Sequence, residues 1–307
     1  MSTRRQFVKK TGAGVAGVLA AGAALGAVAG TASGEAAGAA GSAAGTAAGP
    51  AAGAAKGSAG SQVDPPFALG MTSYTFREFD LETTLAWTAR MGLEFISLKS
   101  MHLPLDTPPA GIEAVARQVR EAGLDLYGCG VVYMTSEAEV ENAFAYAAAG
   151  GMRIIIGVPE HDLLPLVERK VAEYDIKLAI HNHGPGDERY PTPQSAFELV
   201  REMDPRLGLC VDIGHTMRSG VDPSEPMRLY ADRVHDLHIK DVSAADRSGS
   251  TVEIGRGVID IPRFVRTVLD TGFSGVLALE HEKDGNDPLA GAAEAIGFVR
   301  GVLATLP

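Results

Sequence analysis

The segment LGLCVDIGH at residues 207–215 shows the pattern that decides the fold. Its apolar part, Leu207 to Val211, is typical of a buried β-strand, and its polar end brings Asp212 and His215 to the point where the strand stops. Similar runs rich in Val, Ile and Leu recur along the chain, and each is followed by a longer amphipathic segment. Repeated strand and helix units of this kind indicate a parallel sheet.

Eight such pairs lie between residues 65 and 307. The predicted strands are Ala68–Tyr74, Leu93–Lys99, Leu124–Val132, Arg153–Val158, Lys177–His183, Leu207–Gly214, Val234–Val242 and Gly275–Glu282. The predicted helices are Leu81–Met91, Gly111–Ala122, Glu137–Ala149, His161–Glu173, Pro193–Met203, Pro223–Ala231, Ile261–Thr271 and Pro288–Leu303. These 243 residues suit an α/β fold made of a single (β/α)8 TIM barrel, which typically has about 250 residues. An open doubly wound sheet is the alternative, but the segment TSYTF after the first strand is not a phosphate-binding glycine turn.

The first 64 residues have a different composition. Residues 3–9, TRRQFVK, match the twin-arginine export pattern, and an uncharged run at 13–29 ends in a small-residue cleavage site, AVA. Residues 30–64 are nearly all Ala, Gly, Ser and Thr, which predicts a disordered linker. We therefore expect a signal peptide at 1–29, a linker at 30–64 and the barrel at 65–307. An N-terminal membrane anchor is the alternative, although Gly and Ala make a weakly apolar span.

Export by the twin-arginine (Tat) machinery would place the mature protein in the periplasm or outside the cell, with no membrane span. Removing residues 1–29 takes away four positive charges and no acids, so the formal charge falls from -11 to -15. So acidic a protein is a poor binder of nucleic acid. Cys129 and Cys210 fall in the third and sixth strands, nearly opposite in a barrel, so we expect no disulfide.

Polar side chains gather where the fifth to eighth predicted strands end, and in such barrels the reacting groups stand at the C-terminal strand ends. Residues two apart in a strand point the same way. Three pairs share a face by this rule: His181 with His183, His238 with Lys240, and Glu280 with Glu282. Apolar residues fill the opposite parity, so the polar set is expected to point into the barrel mouth.

Imidazoles and carboxylates on converging strands are the ligands that Mn, Co, Zn or Mg ions bind. The sequence predicts a divalent metal ion held by His181, Asp212, His238 and Glu280, with His183 as the alternative to His181 on the fifth strand. Of the other histidines, we expect His161, His235 and His281 to be structural or surface residues.

Six short motifs resemble those of a known family: SYTF at 73–76, HNH at 181–183, DIGH at 212–215, HIKD at 238–241, GRG at 255–257 and EHE at 280–282. The family is that of the xylose isomerase-like TIM barrels, sugar phosphate isomerases and epimerases with the family-2 apurinic endonucleases as relatives. The resemblance runs from Phe67 to about Leu306. In ketose epimerases of this family the strand-5 ligand is a glutamate, which pairs with the strand-8 glutamate as two acid/base groups. His181 stands in its place here, so one half of that mechanism is missing.

The resemblance implies a metal-dependent isomerase or epimerase of an unphosphorylated sugar, a small-molecule carbohydrate. Glu280 would act as base, and Lys240, His183 or His215 would supply the second proton transfer. Arg256, between two glycines, is the candidate substrate residue of the loop before the last strand, with an ordinary turn as the alternative. Aromatic residues at the ends of the first strands, Tyr74 and Phe76 together with Lys99 and Tyr133, would form a wall for the sugar ring or else pack in the core.

Three other functions are possible from the sequence. A metal-dependent lyase or hydratase on an oxidised sugar such as a 3-keto-glycoside needs only one catalytic base. A DNA-repair endonuclease would need a three-metal site and a basic groove, and neither is indicated by the sequence. A sugar-binding barrel without activity would have little need of both Asp212 and Glu280.

Overall fold

The computed structural model describes residues 65–306; the predicted signal peptide and linker lie outside the described residues. Eight parallel strands close into one barrel, which confirms the predicted fold class. The barrel strands are β1 (Ala68–Thr72), β2 (Phe95–Leu98), β3 (Asp125–Met134), β4 (Ile154–Pro159), β5 (Lys177–His181), β6 (Leu207–Asp212), β7 (Val234–Ile239) and β10 (Val276–Leu279). Each strand pairs with its sequence neighbours in the barrel, and β10 closes the ring by pairing with both β7 and β1.

Helices follow the barrel strands. They are α1 (Leu81–Arg90), α2 (Pro109–Glu121), α3 (Glu137–Ala149), α4 (Leu164–Tyr174), α5 (Pro193–Val200), α6 (Ile213–Arg218), α7 (Ser224–Tyr230), α8 (Ile261–Asp270) and α9 (Leu289–Thr305). Five of them begin after a residue whose side-chain oxygen accepts a backbone N–H of the first turn: Asp80, Ser136, Thr192, Asp212 and Asp260. These caps satisfy amides that have no partner inside the helix and fix where each helix begins.

Six of the eight barrel strands end before the residue that the sequence predicts, and β6 and β7 show the physical cause most clearly. β6 stops at Asp212 because the Asp212 side chain accepts the backbone N–H of His215 and so begins the short helix α6, which the apolar pattern does not show. The predicted strand Val234–Val242 is divided after Ile239, and β8 (Asp241–Val242) leaves the barrel to pair antiparallel with β9 (Thr251–Val252). Both changes leave polar residues at the barrel mouth.

The core lies within the barrel and between the strands and helices. Leu237 and Leu279 are fully buried, and the residues next to them in sequence, His238 and Glu280, have the opposite parity. Cys129 and Cys210 are buried free thiols, as expected. Among residues 65–306, the helices lack the combination of length and apolar character that crossing a membrane requires.

Candidate metal and active site

The four predicted metal ligands meet at the C-terminal ends of four neighbouring strands. His181 ends β5, Asp212 ends β6, His238 is the fifth residue of β7, and Glu280 follows β10. Each offers one ligand atom, and these atoms all lie within 4.8 Å of one another. The residues are nearly inaccessible to solvent, with Glu280 the most exposed at 4%. The strand order of the barrel therefore creates one buried polar cluster from residues far apart in sequence.

The contacts within this cluster fit a cation between the side chains. His181 Nε2 lies 3.1 Å from His238 Nδ1 and 3.4 Å from Asp212 Oδ2, and His238 Nδ1 lies 3.5 Å from Glu280 Oε2. Buried polar atoms without hydrogen bonds are costly, and Asp212 Oδ2, which faces His181 Nε2 in the cluster, has none of good geometry. Two imidazole nitrogens and two carboxylate oxygens that converge in this way suit a divalent metal ion.

The protonation states of three of the four ligands also suit metal binding. For His238, burial is outweighed by the carboxylates of Glu280, Asp236 and Asp212, which raise the pKa of its imidazole. Burial lowers the pKa of His181 to about 3, so its imidazole is neutral at neutral pH, as a ligand must be. Burial alone would raise the pKa values of Asp212 and Glu280, but the Lys240 ammonium and the neighbouring imidazoles outweigh it. Both pKa values therefore lie below the usual range, and both groups are carboxylates.

Lys240 connects the metal cluster to a third carboxylate. Its Nζ lies 2.9 Å from Asp212 Oδ2 and donates to Glu280 Oε2 at 2.6 Å and to Glu282 Oε1. Burial opposes its charge, but the three carboxylates outweigh burial and raise the pKa of Lys240 well above its usual value. Its stem passes so close to Gly214 that a Cβ there would lie 2.3 Å from the Lys240 Cγ. Lys240 is thus a fixed positive charge at the centre of the site.

His183 and His215 stand beside the cluster and do not join it. His183 Nε2 lies 3.0 Å from the Tyr133 hydroxyl, and His183 Nδ1 lies 3.7 Å from Asp187 Oδ2. The His183 and His215 rings are 5.9 Å apart, and burial lowers the pKa of both. His181, and not His183, is therefore the β5 residue of the candidate metal cluster. His183 and His215 are neutral imidazoles next to this cluster.

The three predicted substrate residues lie in different environments. Tyr74 is half-buried at the barrel mouth, with Lys99 Nζ 4.4 Å and the Arg77 guanidinium carbon 5.1 Å from its ring centre. Phe76, in contrast, is fully buried and packs edge-on against Trp87 of α1, 5.4 Å between ring centres. The 3-10 turn at Ser73–Phe76 causes this difference, because it does not continue the alternation of the strand.

Arg256 is directed away from the cluster. Its guanidinium donates to both carboxylate oxygens of Glu294 in α9, at 2.6 and 2.7 Å. The buried Asp241 carboxylate holds this loop, since it accepts the backbone N–H groups of Gly255 and Gly257. The Gly-Arg-Gly turn is therefore part of the frame around the site, and its arginine is a surface residue in this structure.

The sequence reasoning missed two residues that support the ligands. Asp236 is fully buried, and its Oδ2 lies 3.6 Å from His238 Nε2, the ring nitrogen that does not face the cluster. Burial raises the pKa of Asp236 to about 7. Asn182 Oδ1 accepts the backbone N–H of Asp212 at 3.0 Å and so ties β6 to β5. Strand parity could have indicated Asp236, which precedes His238 by two residues.

Three further histidines, which the sequence predicts to be structural or surface residues, lie outside the cluster. His161 Nε2 is 3.1 Å from the Arg189 carbonyl oxygen, and His235 Nε2 is 2.9 Å from the Pro205 carbonyl oxygen. The backbone N–H of His281 donates to Thr75 Oγ1 at 2.9 Å. These contacts match the structural roles predicted for them.

Comparison with known proteins agrees with this fold. The sequence profile of the family described as xylose isomerase-like TIM barrel matches residues 161–302, which contain all four candidate ligands. The chain is 32% identical over 164 residues to the rhizopine catabolism protein MocC of Rhizobium meliloti, which covers 44% of this chain and 49% of that protein. It is 26% identical over 132 residues to an inosose dehydratase of Lacticaseibacillus casei, covering 38% of this chain and 43% of that enzyme.

The matched regions thus span about half the length of these curated relatives. A solved structure of an IolI protein with a bound zinc atom has a TM-score of 0.65 and 17% identity, and the match covers 77% of this chain and 98% of that one. At this identity the likeness concerns the fold alone. The chain is thus similar to the xylose isomerase-like TIM barrel family over residues 161–302, and its whole barrel shares the fold of the IolI structure.

Proposed function

We propose that the protein is a divalent-metal-dependent dehydratase or lyase, which removes a proton next to the carbonyl of a keto sugar or keto polyol and expels the neighbouring oxygen substituent. The observation that carries this proposal is the pairing of Glu280 with Lys240, 2.6 Å from Nζ to Oε2, beside His181 on β5. In this site the Glu280 carboxylate stands beside the fixed Lys240 ammonium. Two-base epimerisation would use a second carboxylate on β5, and this chain has the imidazole of His181 at that position.

The four ligands His181, Asp212, His238 and Glu280 would hold the metal ion. When bound, such an ion would polarise a carbonyl or hydroxyl oxygen of the substrate. Fold relatives fit this role, since one is a zinc-binding protein and a sequence relative is an inosose dehydratase.

A single group can carry the proton through the whole elimination. The Glu280 carboxylate takes the proton from the carbon beside the carbonyl, and the electron pair of that bond forms the enolate. The enolate then reforms the carbonyl as a conjugated enone, and the bond to the neighbouring oxygen breaks. The protonated Glu280 carboxyl then returns its proton to the departing oxygen.

Lys240 and the rim histidines would complete the site. The Lys240 ammonium stays charged throughout and stabilises the negative charge that develops on the substrate oxygen. His183 and His215 are neutral donors or acceptors for substrate hydroxyl groups, and Tyr133 extends this side of the mouth.

Isomerisation or epimerisation is the second candidate, because His183 and His215 form a second set of groups able to accept a proton. In that reaction one of them would act on the carbon that Glu280 deprotonates, and all substituents would stay in place.

Proton NMR in D2O distinguishes these reactions. The metal-loaded full chain is incubated with methyl 3-keto-glucoside, with 2-keto-myo-inositol and with the free ketose fructose, and a chelator-treated sample is the control. We expect chelator-sensitive loss of methanol or water, and no such loss with Glu280→Gln. Deuterium incorporation with every substituent intact would favour the isomerase or epimerase. No reaction with any of the three compounds, or with the anionic analogue methyl 3-keto-glucuronide, would contradict the proposed elimination.

A further inference from the structure

Two cations lie over the ring of Tyr74 at the mouth of the metal site. Tyr74 lies in the turn after β1, Lys99 follows β2, and Arg77 follows the same turn as Tyr74. Lys99 Nζ lies 4.4 Å and the Arg77 guanidinium carbon 5.1 Å from the centre of the ring. All three side chains are half-buried. A favourable cation–π contact accounts for part of this arrangement, but it does not neutralise either charge.

Neither cation has a carboxylate partner within residues 65–306. Lys170, Lys240 and Lys283 each lie within 3.0 Å of at least one carboxylate oxygen, whereas Lys99 Nζ has no carboxylate within 4.0 Å and no hydrogen bond among the described residues. Arg77 donates only to the backbone carbonyl oxygens of Tyr74 and Glu282, at 3.5 and 3.0 Å. A partly buried cation without an anionic partner is costly, so this pair is better explained by an anion that arrives with a ligand.

The charges of the metal site do not supply that anion. The site contributes three carboxylates, from Asp212, Glu280 and Glu282, and the Lys240 ammonium together with one divalent ion would balance them. Glu280 and Glu282 attract Lys99 from beyond contact distance, while burial lowers the pKa of Lys99. With the metal bound, the positive charges of Lys99 and Arg77 would therefore have no balancing negative charge on their side of the barrel mouth.

We propose that Lys99 and Arg77 bind an anionic group of the substrate, a carboxylate or a phosphate, while the Tyr74 ring holds the two cations in place. The substrate class is then an acidic keto sugar, such as an oxidised uronic acid or sugar phosphate. Ammonium and guanidinium donors give charge-assisted hydrogen bonds to either kind of anion. This proposal rests on the proposed function only in placing the substrate at the mouth of the metal site.

The test measures binding without turnover, so that it is independent of the reaction. Isothermal titration calorimetry of the metal-loaded full chain compares D-glucuronate, D-glucose 6-phosphate and D-glucose, which differ at the anionic group. We expect at least one of the two anions to bind about tenfold or more tightly than glucose, the effect of one charged hydrogen bond. Preference for glucuronate would indicate a carboxylate substrate, and preference for the phosphate ester would indicate a phosphorylated one.

Three variants make the test specific. Lys99→Gln should remove the preference for the anion, and Lys99→Arg should keep most of it, which also controls for folding. Lys177→Gln, at the exposed first position of β5 and so at the other end of the barrel, should leave binding unchanged. Equal binding of glucose and both anions, no binding of either anion at millimolar concentration, or full anion binding by Lys99→Gln would each overturn the proposal. If the anion binds but no product forms from any keto sugar, the proposed reaction is wrong and this inference stands.

Discussion

The Asp236 carboxylate lies behind the His238 imidazole, with its Oδ2 3.6 Å from Nε2, while Nδ1 of the same ring faces Glu280 and His181. A carboxylate on the far nitrogen of a ligating histidine selects the tautomer and fixes the orientation of the ring. Asp236 is itself fully buried and lies 3.6 Å from the Cys210 Sγ. This makes Asp236 a positioning residue for the candidate metal site.

Asp236→Asn should therefore weaken metal binding by about 10- to 100-fold, since the near-isosteric amide removes the acceptor charge behind His238. Competition with a chromophoric chelator measures the metal affinity directly. Asp125→Asn, which removes an exposed salt bridge to Arg153 on the other end of the barrel strands, is the matched control and should leave the affinity unchanged. Equal metal affinities for Asp236→Asn and the wild type would show that Asp236 does not support the ligand.

Lys240→Met should destabilise the metal-free protein by about 3–5 kcal/mol, because it leaves three neighbouring carboxylates without their cation. A divalent ion would then relieve more repulsion in the variant than in the wild type. We expect the metal to raise the melting temperature of Lys240→Met by more than that of the wild type. Lys170→Met, which breaks ion pairs to Glu141 and Glu173 on the outer helices, should show the wild-type metal effect. A smaller metal effect in Lys240→Met would contradict this reading of the cluster.

His235 should make stability depend on pH. Burial lowers its pKa from 6.5 to about 4, so the folded state favours the neutral ring, and the unfolded chain binds the proton first as the pH falls. The stabilisation is complete above the unfolded pKa of about 6.5 and is lost between pH 6.5 and 4, with about 2 kcal/mol lost by pH 5. Urea unfolding of the wild type and of His235→Gln at pH 7 and pH 5 should show the difference between them shift by this amount. A constant difference would show that His235 does not titrate in this range.

Phe76→Ala should lower the free energy of unfolding by about 3–5 kcal/mol, as expected for an aromatic side chain packed in the core against Trp87. Tyr74→Ala, two residues earlier and half-buried, should cost much less stability. Urea denaturation of both variants shows whether the Phe76 side chain stabilises the core or serves the substrate site. If Phe76→Ala is as stable as the wild type but binds ligand more weakly, Phe76 is a substrate-binding residue and not a core residue.

The parts of this structure that the sequence could predict are those set by local patterns. Strand parity and position place His181, Asp212, His238 and Glu280 at the barrel mouth, because parallel strands of similar length end at one face. Phe76 and Arg256 could not be placed in this way, since a 3-10 turn and a loop held by Asp241 set their directions.

Other features depend on distances across the barrel. The pairing of Lys240 with three carboxylates and the contact of Asp236 with His238 join residues that only the closed barrel brings together. Helix α6 was missed because Asp212 both ends β6 and caps the helix, so no change of composition marks the boundary.

The most direct test of the candidate site is a titration of the metal-free full chain with Mn²⁺, followed by electron paramagnetic resonance of the free ion. The wild type should bind one ion per chain, and so should His235→Gln, which removes a histidine at the opposite face of the barrel. The double variant His181→Ala with His238→Ala should lose saturable binding while keeping the barrel's circular dichroism spectrum. Stoichiometric binding of Mn²⁺ by a folded double variant would contradict a metal site at these four residues. So would a wild-type protein that binds neither Mn²⁺ nor, in a separate titration, Zn²⁺.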